Sequence, residues 1–467
     1  GGAKSRLRAS GVDFALERKK GFAEGTPSAP PLLALVRNVP KTSDKLCVPP
    51  FLGDPPVLKC DVLYYILGYV VGLSEEEHMR IGLLTDIYKP MLNGITNFIS
   101  LHKRELERLG HEAWVFTPGN TDYQDDEPRV VRSKAIPLSN TGYYINLGYD
   151  RKTRQLLQEM DILHAQHPFL SGIIAIAIGR RYGIPVVFTN HTRYDLYAQH
   201  YLPLIPPFLS ETFLEAFFPP FTQRCDLVIA PSRGIYELLL AWGTACRIEI
   251  VPNGIDVEAF RAPRIRITRA EVGIPDEARV AIYVGRMSGE KRVAALLRAF
   301  APVAEEVHNA HLLLVGGGPE LEEYRELASE LGIHERTHFT GYVPYEKVPG
   351  YLALTDFFAT ASMSEVHPLT VLEAMAAGLP VLGIRSPGIA DIVEHGYNGL
   401  LTSEDQAAFA LKLARLFQDD GLRQRLAEGA RLTSQHYSIV NTTQRHLELY
   451  QELIEAKRSK RLMVCSS

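Results

Sequence analysis

The sequence predicts an α/β protein built from two doubly wound parallel sheets in tandem, with a cleft between them. Three observations predict it. From residue 79 onward, short apolar runs alternate with longer segments of helical period. Those runs are apolar at nearly every position, as strands are when helices cover both faces of their sheet. The alternation lapses once, across Asp256–Ile274, and then starts afresh.

The 467 residues leave room for two or three domains. Apolar residues at 46% and charged residues at 22% are a globular balance that excludes a wholly disordered or collagen-like chain. A formal charge of −4 gives no global reason to bind nucleic acid. The five cysteines, Cys47, Cys60, Cys225, Cys246 and Cys465, have no metal-ligand spacing. They read as reduced thiols of a cytosolic protein without a disulfide framework.

Residues 1–78 differ in texture. They are basic, then proline-rich, then carry an apolar run within Val57–Leu73 that is too short to cross a bilayer. The reading is an extension outside the catalytic fold, with the functional chain starting at Met79; a small accessory hairpin is the alternative. The first strand is Ile81–Thr85, and the helix after it carries Ile95, Phe98, Ile99, Leu106 and Leu109 on one face. Further strands follow at Trp114–Thr117, Asp161–His164, Pro185–Thr189, Asp226–Ala230 and Arg247–Pro252, with a helix over Gly172–Tyr182. These make a first domain over 79–258. The polar stretch 256–274, with Pro263 and four arginines, reads as the linker. A second domain over 275–435 has strands at Val280–Gly285, His311–Gly316, Phe357–Thr360 and Pro380–Ile384. A largely helical tail follows, ending in a helix over 436–460.

The chemistry-bearing residues gather in the second domain. Arg286 ends a strand and Lys291 opens the next helix, a cation pair suited to a diphosphate. Gly316 and Gly317 form a tight turn between strand and helix, with neither a third glycine in dinucleotide register nor a P-loop lysine. Glu365 and Glu373 lie eight positions apart, in a loop and early in a helix. A carboxylate accepts from both hydroxyls of a ribose, and the N–H groups of Leu369 and Thr370 at that helix start can meet phosphate or sugar oxygens.

These residues carry a resemblance. Glu365 and Glu373 followed by Ala374–Pro380, together with Gly285-Arg286, Glu290-Lys291 and Asn253-Gly254-Ile255-Asp256, resemble the retaining glycosyltransferases of family 4. In texture the chain is nearest to glycolipid-forming members such as diacylglycerol glucosyltransferases and phosphatidylinositol mannosyltransferases. The resemblance implies the GT-B fold, two Rossmann-like domains facing each other, with the last helix returning to the first domain. It implies a nucleotide-sugar donor, UDP-glucose or GDP-mannose, and a hydroxyl acceptor, with a diacylglycerol-type lipid or a glycolipid among the candidates.

Carried over position by position, Arg286 and Lys291 hold the donor diphosphate, Glu373 the ribose and Glu365 a hydroxyl of the transferred sugar. Phe339–Val343, with Tyr342 and Val343 at its end, matches the segment that contacts the base. Asn93-Gly94 matches the glycine turn near the donor phosphates. His367-Pro368 stands where the family often has Phe-Gly, so one N–H is missing from the phosphate cradle. Relatives carry His-x-His where this chain has His164, Gln166 and His167, which makes His167 the catalytic candidate and Gln166 an acceptor candidate. His191, Arg193 and Tyr194 match the motif after the next strand and are further acceptor candidates.

The resemblance implies retention of anomeric configuration without a cofactor, and no Asp-x-Asp pair marks a metal-held diphosphate in the donor half. The segment Tyr197–Phe221 is aromatic and proline-rich but poor in cations, so it reads either as a lipid-inserting element or as a helix packed on the sheet. A peripheral position on the cytoplasmic membrane face fits the first reading. The alternatives are transfer to a soluble saccharide or metabolite, a nucleotide-sugar epimerase on the same fold, and a non-catalytic nucleotide-sugar-binding relative.

Overall fold

The structure, a computed structural model, describes residues 78–91, 93–119, 121–137, 144–145, 149–194 and 207–465. The expectations for the 1–78 extension therefore lie outside the described residues, His78 apart. So do those for Cys47, Cys60 and the stretch Tyr197–Pro206.

The first sheet has seven parallel strands: β1 (Arg80–Leu84), β2 (Glu112–Pro118), β3 (Val130–Ser133), β4 (Ile162–Ala165), β5 (Val186–Thr189), β6 (Leu227–Ala230) and β7 (Ile248–Ile250). Their spatial order is β3-β2-β1-β4-β5-β6-β7, so the winding reverses between β1 and β4. The second sheet has β8 (Arg279–Val284), β9 (Ala310–Val315), β10 (Thr337–Gly341), β11 (Phe357–Thr360), β12 (Val381–Ile384) and β13 (Gly399–Thr402). Their order is β10-β9-β8-β11-β12-β13, and the reversal falls between β8 and β11. In open sheets of this kind ligands collect at the carboxyl ends where the winding reverses.

Strands covered on both faces explain the apolar runs. In β4, Ile162 packs into one core cluster and Leu163 into another on the opposite face. The cluster holding Ile162 continues through Ile282, Leu369 and Leu372, so one apolar core spans both lobes. The stretch read as the linker carries local structure. Asp256 caps a short helix, Val257–Arg261, that buries Val257 and Phe260, and a 3-10 turn follows at Ala270–Val272.

Three short strands carry too little apolar signal to be read from the sequence. β3 and β10 are half-buried edges, and β13 is four residues beside a turn. Cys225 and Cys246 are free thiols, buried and half-buried. No helix among the described residues is long and apolar enough to cross a membrane.

The final helix, Ile439–Cys465, returns to the first lobe. It buries Leu447, Tyr450 and Ile454. Its start is pinned at Asn253–Asp256: Ile255 N–H donates to the Tyr437 carbonyl at 2.9 Å, and Ile439 N–H donates to the Ile255 carbonyl at 2.8 Å. Gly254 is required there, because a Cβ would lie 2.6 Å from the Ile439 Cα. That motif is thus a docking point for the returning helix.

Candidate active site

Residues from three strand ends of the second lobe converge. Lys291 closes the 3-10 turn Gly289–Lys291 after β8, and Glu365 stands in the loop after β11. Lys291 Nζ lies 2.8 Å from Glu365 Oε1, and the Ser362 hydroxyl donates to the same oxygen at 2.8 Å. Burial alone would raise the Glu365 pKa, but the Lys291 ammonium and these hydrogen bonds hold it below the usual carboxylate range. Arg286 is exposed on the loop after β8. The glycine turn after β9 allows close backbone approach: Gly316 has φ +136°, and any Cβ on it would strike the Gly285 carbonyl. Met287 N–H donates to the Gly317 carbonyl at 3.0 Å, tying this turn to the Arg286 loop.

Glu373 sits in the helix Leu369–Ala376 and is 2% exposed. Burial pushes its pKa up to about 7, while the Tyr345 hydroxyl, donating to Oε1 at 2.7 Å, pulls it down. Pro368 begins that helix without a side-chain cap, so the first-turn N–H groups of Leu369 and Thr370 have no helical carbonyl to meet. His367 is buried, its Nδ1 has no partner among the described residues, and burial holds its pKa at about 3. Tyr342 is 68% exposed, whereas Val343 packs against the shared core.

The first lobe supplies the facing wall. Asn93 caps the helix Gly94–Arg108 by accepting from Thr96 N–H at 2.9 Å, so its side chain serves the turn. A Cβ at Gly94 would lie 4.0 Å from Leu369 Cδ1, which places this turn opposite the Glu373 helix. His167, at the carboxyl end of β4, is 4% exposed. Asp86 N–H donates to its Nδ1 at 3.3 Å, so the ring proton of the neutral imidazole lies on Nε2. Burial lowers its pKa, and the Asp86 carboxylate opposes this.

Gln166 is fully buried and accepts from His191 Nε2–H at 2.8 Å, so it orients a histidine. Tyr194 is 7% exposed and packs edge-on to Phe169, so its ring is part of the wall's core. Arg193 is half-buried beside it. His191 is held neutral at about 3, by burial first and by His167, His446 and His367 next. The influence of His367, from the other lobe, marks how closely the two walls approach. Leu214, Phe218 and Phe221 of the helix Pro207–Thr222 are buried against the sheet, as the packed-helix reading expects for that half.

Sequence reasoning missed Ser362 and Tyr345, whose hydroxyls donate to the two glutamates. It also missed Asn190, fully buried beside His191, whose side-chain amide has no partner among the described residues. Ser362 lay three positions before Glu365; nothing local marked Tyr345 or Asn190. Among the described residues no group of acidic, histidine and cysteine side chains could hold a metal ion.

Two parallel-sheet lobes thus face each other, with cations and a spaced acidic pair near the strand ends of the second. Comparison with known proteins makes this specific. Residues 92–259 match the glycosyltransferase family 4 model, and residues 264–433 match that of glycosyl transferases group 1. An alpha-monoglucosyldiacylglycerol synthase of Streptococcus pneumoniae is 32% identical over 335 residues, covering 69% of this chain and 75% of that protein. Its counterpart from Acholeplasma laidlawii is 27% identical, covering 82% and 99%. The fold is shared with Anabaena HepE, solved with UDP and glucose, at a TM-score of 0.64, 21% identity and coverage of 80% and 100%. It is also shared with sucrose-phosphate synthase from Thermosynechococcus elongatus, at a TM-score of 0.66, 20% identity and coverage of 81% and 100%. The chain belongs to family 4 of the glycosyltransferases, with the GT-B fold.

Proposed function

We propose that the protein moves a hexose from a nucleotide sugar, UDP-glucose first, to the hydroxyl of a diacylglycerol-type lipid, with retention and without a metal. The Lys291–Glu365 pair at 2.8 Å carries the reading, because it sets a cation and a sugar-binding carboxylate side by side at the switch point of the second sheet. The two similar synthases, whose names give the lipid product, support the acceptor.

In this reading Glu373 accepts the ribose hydroxyls, the Tyr342–Val343 backbone meets the base, and Gly316-Gly317 lets the donor approach. Arg286, Lys291 and the N–H groups of Leu369 and Thr370 neutralise the diphosphate as it departs. The C1–oxygen bond to the phosphate breaks as the acceptor oxygen bonds to C1 from the same face. The acceptor proton passes to the departing phosphate oxygen, and the nucleoside diphosphate leaves. Glu365 positions a sugar hydroxyl and forms no covalent bond. His167, neutral with its proton on Nε2, donates to the transferred sugar from the first lobe; His191 and Arg193 face the acceptor. Asn93-Gly94 closes the phosphate end. Lobe closure excludes water that would hydrolyse the donor. Peripheral contact with the cytoplasmic membrane face brings the lipid to this cleft.

The test is transfer from radiolabelled UDP-glucose and GDP-mannose, with EDTA present, into diacylglycerol micelles and into a pool of soluble acceptors. Label in an α-linked lipid product supports the proposal. Label confined to the soluble pool removes the lipid acceptor. Free sugar or epimer as the sole labelled product, with no label in either acceptor pool, removes transfer altogether.

A further inference from the structure

A turn of the second lobe is wedged between the first lobe and the donor loop. Ser232 caps the helix Arg233–Ala241, which follows β6 of the first lobe. Gly234, in the first turn of that helix, donates its N–H at 2.8 Å to Asp391 Oδ2, a carboxylate of the second lobe. A helix N-terminus carries partial positive charge and free N–H groups, so a carboxylate there is doubly favoured. Gly234 is what admits it: a Cβ would lie 2.7 Å from Pro387 Cβ and 3.2 Å from Asp391 Oδ2.

The turn Pro387–Ala390 immediately precedes Asp391, and its other side meets the donor loop. A Cβ at Gly388 would collide with the Glu365 carbonyl oxygen and lie 2.8 Å from the Val366 carbonyl carbon. Val366 itself packs into the first lobe's core. Tyr437, whose hydroxyl pKa is raised by burial and by the Asp391 charge, packs its ring 5.3 Å from that of His367. The contact between lobes and the loop bearing Glu365 therefore share one short turn of backbone, Pro387–Asp391.

We propose that Asp391 is a positioning residue: its cap on the Arg233–Ala241 helix latches the two lobes and, through Pro387–Ala390, fixes the Glu365 loop in the closed cleft. The inference rests on the glycosyltransfer reading for its rate effect only. It adds a role for a residue that touches neither donor nor acceptor.

The test compares Asp391→Ala, Asp391→Asn and Gly234→Ala with the wild type, all checked by thermal unfolding. Asparagine caps helices about as well as aspartate, so Asp391→Asn is the conservative rescue. Small-angle scattering with UDP present is expected to give a larger radius for Asp391→Ala and Gly234→Ala than for the wild type and Asp391→Asn. Transfer from UDP-glucose to diacylglycerol is expected to fall at least tenfold in the first two, with donor hydrolysis per transfer rising. UDP affinity by calorimetry is expected to stay within twofold. Unchanged radius and unchanged turnover in folded Asp391→Ala would overturn the latch. So would UDP affinity that falls in parallel with turnover, since the residue would then act inside the donor lobe alone. The radius needs no turnover: a wild type that transfers nothing yet shows the radius difference defeats the glycosyltransfer reading and leaves the latch standing.

Discussion

Lys291 Nζ and Glu365 Oε1 stand 2.8 Å apart, with only about a fifth of each side chain exposed. They come from loops after different strands, 74 positions apart. The Lys291 ammonium holds Glu365 below the usual carboxylate range, and the hydrogen bond fixes the direction of both side chains. Lys291→Ala leaves the half-buried Glu365 with Ser362 alone as partner among the described residues, and Glu365→Gln leaves Lys291 without this counter-charge. Each substitution is expected to lower transfer about 100-fold or more, the scale of losing one preorganised electrostatic group. The double variant should lose far less than the product of the two losses. Initial rates for the four proteins check this, and multiplicative losses would mean the side chains act separately. Mass spectrometry of Glu365 peptides during turnover should find no glycosyl adduct.

Glu373 and Tyr345 predict a pH dependence of donor affinity. Ionised Glu373 can accept both ribose hydroxyls, and its pKa lies at about 7 because burial outweighs the Tyr345 hydrogen bond. UDP affinity should therefore be full above pH 8 and weaken below pH 7, approaching about tenfold per unit. Tyr345→Phe removes the contact that lowers this pKa, so the midpoint should move to higher pH. Calorimetric titration of UDP from pH 6 to 9 reads both, and a flat profile would detach Glu373 from the ribose.

Buried histidines predict acid lability. His164 Nδ1 meets the Tyr450 hydroxyl at 2.6 Å, and the His102 and His446 rings lie 4.6 Å apart. Burial first, and then neighbouring histidines, hold His102 and His164 well below their usual range, and His446 sits at about 4. His191 and His367 sit at about 3. Between those values and about 6.5 the unfolded chain binds protons that the folded one refuses. Stability is therefore full above pH 6.5 and lost as pH falls below it, by on the order of 2 kcal/mol at pH 5 for each histidine held at about 3. Glu373 works the other way, since a raised carboxyl pKa favours the folded state as pH falls from 7 toward 4.5. Five histidines outnumber it. Urea unfolding at pH 7.5, 6.0 and 5.0 should show stability falling at each step; equal midpoints would exclude the effect.

The return helix predicts a large penalty for losing a single hydroxyl. Tyr450 is fully buried, and its hydroxyl meets His164 at 2.6 Å and His102 at 3.3 Å. Tyr450→Phe leaves both ring nitrogens unmatched and should destabilise the protein by about 1–3 kcal/mol. Truncation after Ser434 removes Leu447, Tyr450 and Ile454 from the shared core and should abolish soluble, active protein. Denaturant unfolding and expression of the truncated chain test the two. A fully active truncation would remove the helix from the fold's requirements.

Local sequence was sufficient wherever a residue's role depends on its own neighbours. Continuous apolar runs located ten of the thirteen strands of the two sheets, because two covered faces leave no polar alternation. Glu365 and Lys291 stood out as candidates because each follows a strand end, where the winding of the sheet gathers charge, and Glu373 because it lies eight positions after Glu365. The edge strands β3 and β10 were not legible, since half of each pairs with nothing and carries polar residues. Asn253–Asp256 was read as part of a motif, but its glycine answers to Ile439, nearly two hundred positions away.

Short-range periodicity and the chemistry of strand ends were thus enough to read the alternation of elements, the two sheets and the charged residues gathered near the strand ends. Which partners meet those charges was a matter for folding: the Lys291 ammonium and the Ser362 hydroxyl on Glu365, the Tyr345 hydroxyl on Glu373, and a helix N–H of the opposite lobe on Asp391. Protonation state depends on burial and on partners brought together by folding. Neither is a property of the residue or of its neighbours in the chain.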